Sequence, residues 1–155
     1  KADCLRLAGE AERACRYYDR ARAQGVSERA ILGKAAALTV ARRFDDALRT
    51  LQELGDRASG TCWRQRGFVY HAACRYGAAV AAFDRALLVD PEDAYALAGR
   101  GETHRKRHDF RQALLDFDRA SRLAPFHRPT WMLVTSGREK AKASLRRRIY
   151  PRVTG

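Results

Sequence analysis

The chain has 155 residues, of which 46% are hydrophobic, and a formal net charge of +13. That apolar content suits one folded domain or one run of repeats, and excludes a disordered polar tail. No apolar run approaches the roughly 18 residues a membrane-spanning helix needs, and the positive charge would attract acidic peptides, nucleic acid or anionic lipid.

Taken in chain order, the apolar spacing predicts helices near 1–8, 11–24, 28–41, 44–56, 60–74, 77–89, 94–108, 111–123 and 129–149. No segment alternates with period 2, so no sheet is expected. Ser27, Ser59 and Asp93 stand where N-caps belong. Glu28, Asp45 and Asp46 fall in first turns, where negative charge suits the helix dipole. Pro91 and Pro125 end second helices, because proline cannot continue the hydrogen bonding. Pro129 suits the first position of the last helix.

The chain repeats itself. YGAAVAAFDRALLVDP at 76–91 and FRQALLDFDRASRLAP at 110–125 are 34 residues apart and share Ala79/Ala113, Phe83/Phe117, Asp84/Asp118, Arg85/Arg119, Ala86/Ala120 and Pro91/Pro125. A fixed period of this kind means a repeat architecture. If residue 60 is position 1 of a 34-residue unit, Trp63 is position 4, Gly67 position 8 and Tyr70 position 11. In the second half Ala79 is position 20, Phe83 position 24, Ala86 position 27 and Pro91 position 32. Positions 4, 8 and 11 share one helical face, which packs on 20, 24 and 27 of the second helix. A small residue at 8 and Ala at 20 allow close approach, and burying one of the aromatics beside them contributes about 1.5–3 kcal/mol.

This pattern resembles the tetratricopeptide repeat, W-x2-L-G-x2-Y followed by A-x3-F and P. It departs at position 7, where Arg66 replaces Leu, and at position 11 of the next unit, where His104 replaces Tyr. The resemblance implies an all-α solenoid of stacked antiparallel helix pairs in a right-handed superhelix. The expected layout is a partial repeat over 1–27, repeats over 28–59, 60–93 and 94–127, and a capping helix with a basic tail over 128–155. Trp131 reoccupies position 4 of that last segment, after which the pattern fades.

In this family the first helices line a concave groove, mainly through positions 2, 5, 9 and 12. The corresponding residues are Arg29, Leu32, Ala36 and Thr39; Thr61, Arg64, Phe68 and His71; Tyr95, Ala98, Glu102 and Arg105; and Pro129, Met132, Ser136 and Glu139, with Lys106 beside them. Arg64, Phe68, His71, Tyr95, Glu102, Arg105, Lys106 and Met132 are the expected partner-binding residues. Apolar anchors among cations suit a protein or peptide segment carrying hydrophobic and acidic residues. The resemblance also implies what is missing. Leu32 and Ala36 stand where chaperone-binding members need Lys and Asn, and the chain has no Asn. No carboxylate clamp for heat-shock chaperone tails is expected.

Catalytic motifs are not found: there is no HExxH, GxGxxG, Walker-type loop or GxSxG. The expectation is a non-catalytic chain without cofactor. His104 and His108 have i, i+4 spacing, but register places His104 in the packing face and His108 at a helix end, so no metal is expected. Cys4, Cys15, Cys62 and Cys74 fit no zinc or C-x-x-C pattern and read as buried free thiols in a reducing, intracellular and cytoplasmic setting.

Residues 126–155 hold eight Lys/Arg and one Glu, including Arg146-Arg147-Arg148. RNA binding through that end and the basic groove is the alternative function, although the aromatics mostly occupy packing positions. The start at Lys1 rather than Met suggests a piece of a longer protein, a scaffold or adaptor. Self-association through an uncovered first helix, at Leu5 and Leu7, is a third expectation.

Overall fold

The computed structural model describes residues 12–20, 23, 27–55, 59–124 and 128–149, apart from the side chains of Ser27, Arg128, Pro129, Trp131 and Ile149. The expected first helix with Leu5 and Leu7, Cys4, Pro125, and the tail after Ile149 lie outside these residues, as does the Trp131 side chain.

Every described element is a helix. α1 covers residues 12–20. It is followed by α2 (Ser27–Val40), α3 (Phe44–Gln52), α4 (Gly60–Ala72), α5 (Tyr76–Val89), α6 (Ala94–Lys106), α7 (Phe110–Leu123) and α8 (Arg128–Ile149). The helices α2/α3, α4/α5 and α6/α7 form closely packed pairs, each joined by three residues, so their members run antiparallel. The first helices α2, α4, α6 and α8 also touch one another from pair to pair, whereas the second helices α5 and α7 make no comparable contact. The stack therefore curves, with the first helices on its inner side, and the chain is an α-solenoid.

The caps explain the boundaries. Ser59 Oγ accepts from Cys62 N–H at 3.2 Å and donates to Glu28 on the preceding pair. Asp93 Oδ1 accepts from Tyr95 and Ala96 N–H at 3.0 and 2.9 Å. The C-terminal ends of α2, α4 and α6 share a device the residue types conceal. Arg42, Cys74 and His108 have φ of 61, 59 and 66°. The N–H groups of the following residues, Arg43, Arg75 and Asp109, each reach five residues back to a helix carbonyl at 2.9 Å. This is the Schellman turn usually built on glycine; here three non-glycine residues adopt it. It leaves Cys74 exposed, which corrects the expectation of a buried thiol, while Cys62 is buried and its burial pushes the thiol pKa up.

The core is a chain of small clusters, one per junction, as a quasi-linear array requires. Ile31, Ala35, Leu38, Ala47 and Leu51 fill the first, with Cys62 and Val69 of the next pair. Ala79, Phe83, Ala86 and Ala96 fill the second, and Leu97, Ala113, Phe117, Ala120, Val134 and Ala141 the third. At three junctions the ring at position 24 presses on a glycine of the next first helix. A Cβ on Gly33 would lie 2.3 Å from Tyr18, one on Gly99 2.7 Å from Phe83, and one on Gly137 2.4 Å from Phe117. Beside each ring an aspartate reaches the cation after that glycine. Asp19 meets Lys34 at 2.7 Å, Asp84 meets Arg100 at 2.7 Å, and Asp118 meets Arg138 at 3.1 Å. The junction without this arrangement has Leu51 and Gln52 in place of ring and aspartate; there Arg66 donates to Leu51 O at 2.9 Å and lies 4.5 Å over the Trp63 ring.

These equivalences correct the register of the last helix. The 34-residue period places residue 133 beneath Phe117, but that residue is Leu133, whose side chain would fill the space the ring needs. α8 instead sits one turn along, with Gly137, its one glycine, beneath the ring and Arg138 at Asp118. Met132 consequently lies one turn ahead of its expected position, which Ser136 takes. In the place of Leu97, Gly101 and His104, the face that α6 turns to α7, α8 carries Thr135, Glu139 and Lys142.

Candidate functional site: the inner face of the first helices

α4 and α6 build most of the candidate surface. Their small inward residues draw the helices together: Gly67 and Gly99 both lie against the Phe83 ring, and Ala98, one of the expected groove positions, is fully buried. What remains outside is a strip of larger side chains that contact one another.

Tyr95 is half-exposed and lies on Phe68, with ring centroids 5.0 Å apart. Phe68 meets Phe83 edge to face at 5.1 Å, so the tyrosine is anchored through it to the core. Arg64 Nη1 is 2.5 Å from Asp93 Oδ2, and its guanidinium lies 5.7 Å over the Tyr95 ring. Asp93 thus caps α6 with one oxygen and fixes Arg64 with the other. The cation is held in place rather than free, and Asp93, expected as a cap alone, is part of the strip.

Further along, Thr103 Oγ donates to Gly99 O at 2.8 Å, spending its one proton. His71 Nδ1, 2.9 Å from that oxygen, must then donate to it. The proton on Nδ1 leaves Nε2 as an acceptor. Burial pushes the His71 pKa below its ordinary value; Glu102 opposes this, while Lys106 and Arg105 add to it. His71 is therefore neutral near pH 7. Arg105 binds Glu102 through two hydrogen bonds of 2.7 and 2.5 Å, which raise its pKa, and Tyr76 stacks at a tilt 5.6 Å from His71. Thr103 and Tyr76 lie outside the 2, 5, 9, 12 pattern and gave no signal in sequence.

Seven of the eight expected residues thus fall on one surface of α4 and α6. Lys106 is exposed and has no ion pair among the described residues. Met132 is exposed on α8 and makes none of the ring or ionic contacts that join the others. His104 and His108 do not share a helical face, because His108 has left the helix, and no group of three metal-ligating side chains gathers among the described residues. No helix among the described residues is long and apolar enough to cross a membrane.

No protein-family model and no curated protein sequence matches the chain. Solved structures do. One structure of MamA superposes with a TM-score of 0.65 at 15% identity, covering 93% of this chain and 94% of that one. A second gives 0.64 at 15% identity, covering 99% and 93%. YrrB, described as a TPR protein with an unusual peptide-binding site, gives 0.59 at 22% identity, covering 98% and 84%. At these identities the likeness concerns the fold, and it agrees with the repeat spacing, the paired helices and the ring-on-glycine junctions: the chain folds as a tetratricopeptide-repeat-like α-solenoid.

Proposed function

We propose that this chain is a non-catalytic protein-interaction module that binds a peptide segment or partner domain along the inner face of α4 and α6. The observation that carries this reading is the Arg64–Phe68–Tyr95 cluster. A half-exposed tyrosine is held by the partly buried Phe68 ring on one side and a fixed guanidinium on the other. An aromatic anchor that is already ordered loses little side-chain entropy on binding. Neutral His71 adds a hydrogen-bond acceptor, and Lys106 an exposed cation, so the strip suits a segment with an apolar side chain, a donor and a carboxylate. The described peptide-binding site of YrrB supports the class of ligand. In the same reading α8, polar where α6 is apolar, caps the repeats over 28–59, 60–93 and 94–127.

A peptide library displayed on phage and selected on the protein tests this. Selected peptides should lose about tenfold or more in affinity to Tyr95→Ala, and less to Lys106→Glu, with both variants still folded by circular dichroism. Peptides that bind both variants as tightly as the parent would overturn the placement. Nucleic acid is the other outcome. Its binding should weaken steeply between about 50 and 200 mM salt.

A further inference from the structure

A second surface, away from the inner face, combines an open cavity with unneutralised charge. The turn between α6 and α7 and the last turns of α8 enclose about 400 Å³. Such a volume lies within the range of ligand pockets. Its floor is apolar: Phe110 is almost fully buried and Leu145 packs on the same cluster. His108, turned out by its left-handed backbone, meets the Phe110 ring edge to face at 5.7 Å and walls one side.

The rim is cationic. Arg111 and Arg148 both line the cavity, both are exposed, and neither has an ion pair among the described residues. Asp109, the one carboxylate of the lining among the described residues, is engaged by Arg107 at 3.4 Å, and His104 lies 3.7 Å from it. The corresponding turn two units earlier shows the difference. There position 18 is Asp45 rather than Arg111, and Arg75 neutralises it at 3.1 Å. The fold has thus placed acid and base together at one junction and two bases at the other. Two guanidinium groups around one apolar floor have no internal reason to share a cavity, since each raises the cost of the other. A ligand with carboxylates beside a bulky apolar group would remove that cost and fill the volume.

We infer that the cavity between the α6–α7 turn and the end of α8 docks an acidic peptide segment. A large apolar side chain sits on Phe110 and Leu145, and flanking carboxylates meet Arg111 and Arg148. Charge complementarity selects the acidic segment, and the apolar floor selects a side chain over a phosphate backbone.

Fluorescence anisotropy with a labelled peptide of Asp and Glu residues around one Phe tests the inference. Replacing that Phe by Ala should weaken binding about tenfold, the worth of one buried aromatic. Arg111→Glu and Arg148→Glu should each weaken it about fivefold or more, with melting temperatures unchanged, because both side chains are exposed. The measurement is made on protein carrying Tyr95→Ala, whose inner face is weakened, so that the losses report this cavity rather than the groove. Equal binding of the Phe and Ala peptides, or affinity untouched by the arginine variants, would overturn the proposal. So would tighter binding of a short single-stranded RNA in competition, which would make the rim a phosphate site.

Discussion

Arg100 and Asp84, 16 residues apart in the chain, bridge two helix pairs through a hydrogen bond of 2.7 Å. The same guanidinium turns its Nε and Nη2 edge to Asp116 on α7, at 2.9 and 2.6 Å. One side chain on α6 therefore ties α5 to α7, and the hydrogen bonds to Asp116 raise its pKa further above its ordinary value. The two aspartates are not equivalent: Asp116 is buried and Asp84 is half-exposed.

Arg100→Ala should cost about 3 kcal/mol, because it leaves the Asp116 carboxylate buried without its partner. Asp84→Ala should cost less than about 1 kcal/mol, the worth of a solvent-exposed pair. Urea unfolding of the two variants, followed by circular dichroism, gives the ratio. Equal losses would show that the exposed arm of the bridge matters as much as the buried one.

The ring-on-glycine junctions predict opposite signs for the same substitution. Gly99→Ala places a methyl 2.7 Å from Phe83 and 2.9 Å from Phe68, so it should destabilise by about 1–3 kcal/mol. Gly77→Ala, near the start of α5, meets nothing within 4 Å and should stabilise by about 0.5 kcal/mol through helix propensity. Thermal melts of both, with Phe83→Leu added to Gly99→Ala as partial rescue, check the sign and its cause.

Cys74 holds a φ of 59°, where a side chain is strained. Cys74→Gly should raise stability by about 1 kcal/mol, and Cys74→Ala should not, since alanine keeps the Cβ that creates the strain. A melting-temperature difference between the two variants is the readout. If they melt together, the left-handed turn carries no cost.

Neutral His71 makes stability depend on pH. Its folded pKa is lowered by burial from 6.5, so the unfolded chain binds the proton first. The contribution is complete above about pH 6.5 and is lost as pH falls from there to the folded value. His71→Gln should flatten the denaturation midpoint across that window. A parent midpoint that does not fall below pH 6.5 would contradict a His71 kept neutral by burial.

Much of the fold was legible because it is written in short-range patterns. Position 4, 8, 11 spacing and its partner at 20, 24 and 27 recur often enough to define helices and pairs. The expected 28–41, 60–74 and 94–108 became Ser27–Val40, Gly60–Ala72 and Ala94–Lys106. The Schellman turns were hidden because the sequence carries Arg, Cys and His where glycine would mark them. α3 stops at Gln52, short of the expected 56, where the chain turns before Gly55.

The candidate site was legible only in part. Sequence could place Arg64, Phe68, His71, Tyr95, Glu102, Arg105 and Lys106 on one stripe, because helical periodicity alone decides which side chains share a face. It could not show that Asp93 holds Arg64, that Thr103 sets the His71 tautomer, or that Glu102 and Arg105 spend their charges on each other, since partners across helices depend on distances a period does not contain. Met132 shows the limit best. A 34-residue count placed it in the stripe, but where α8 rests was decided by the volume of the Phe117 ring and the one glycine that could lie beneath it. The repeat was a property of the sequence; the register of its last helix, and the cavity that register created beside Arg111 and Arg148, were decided by packing.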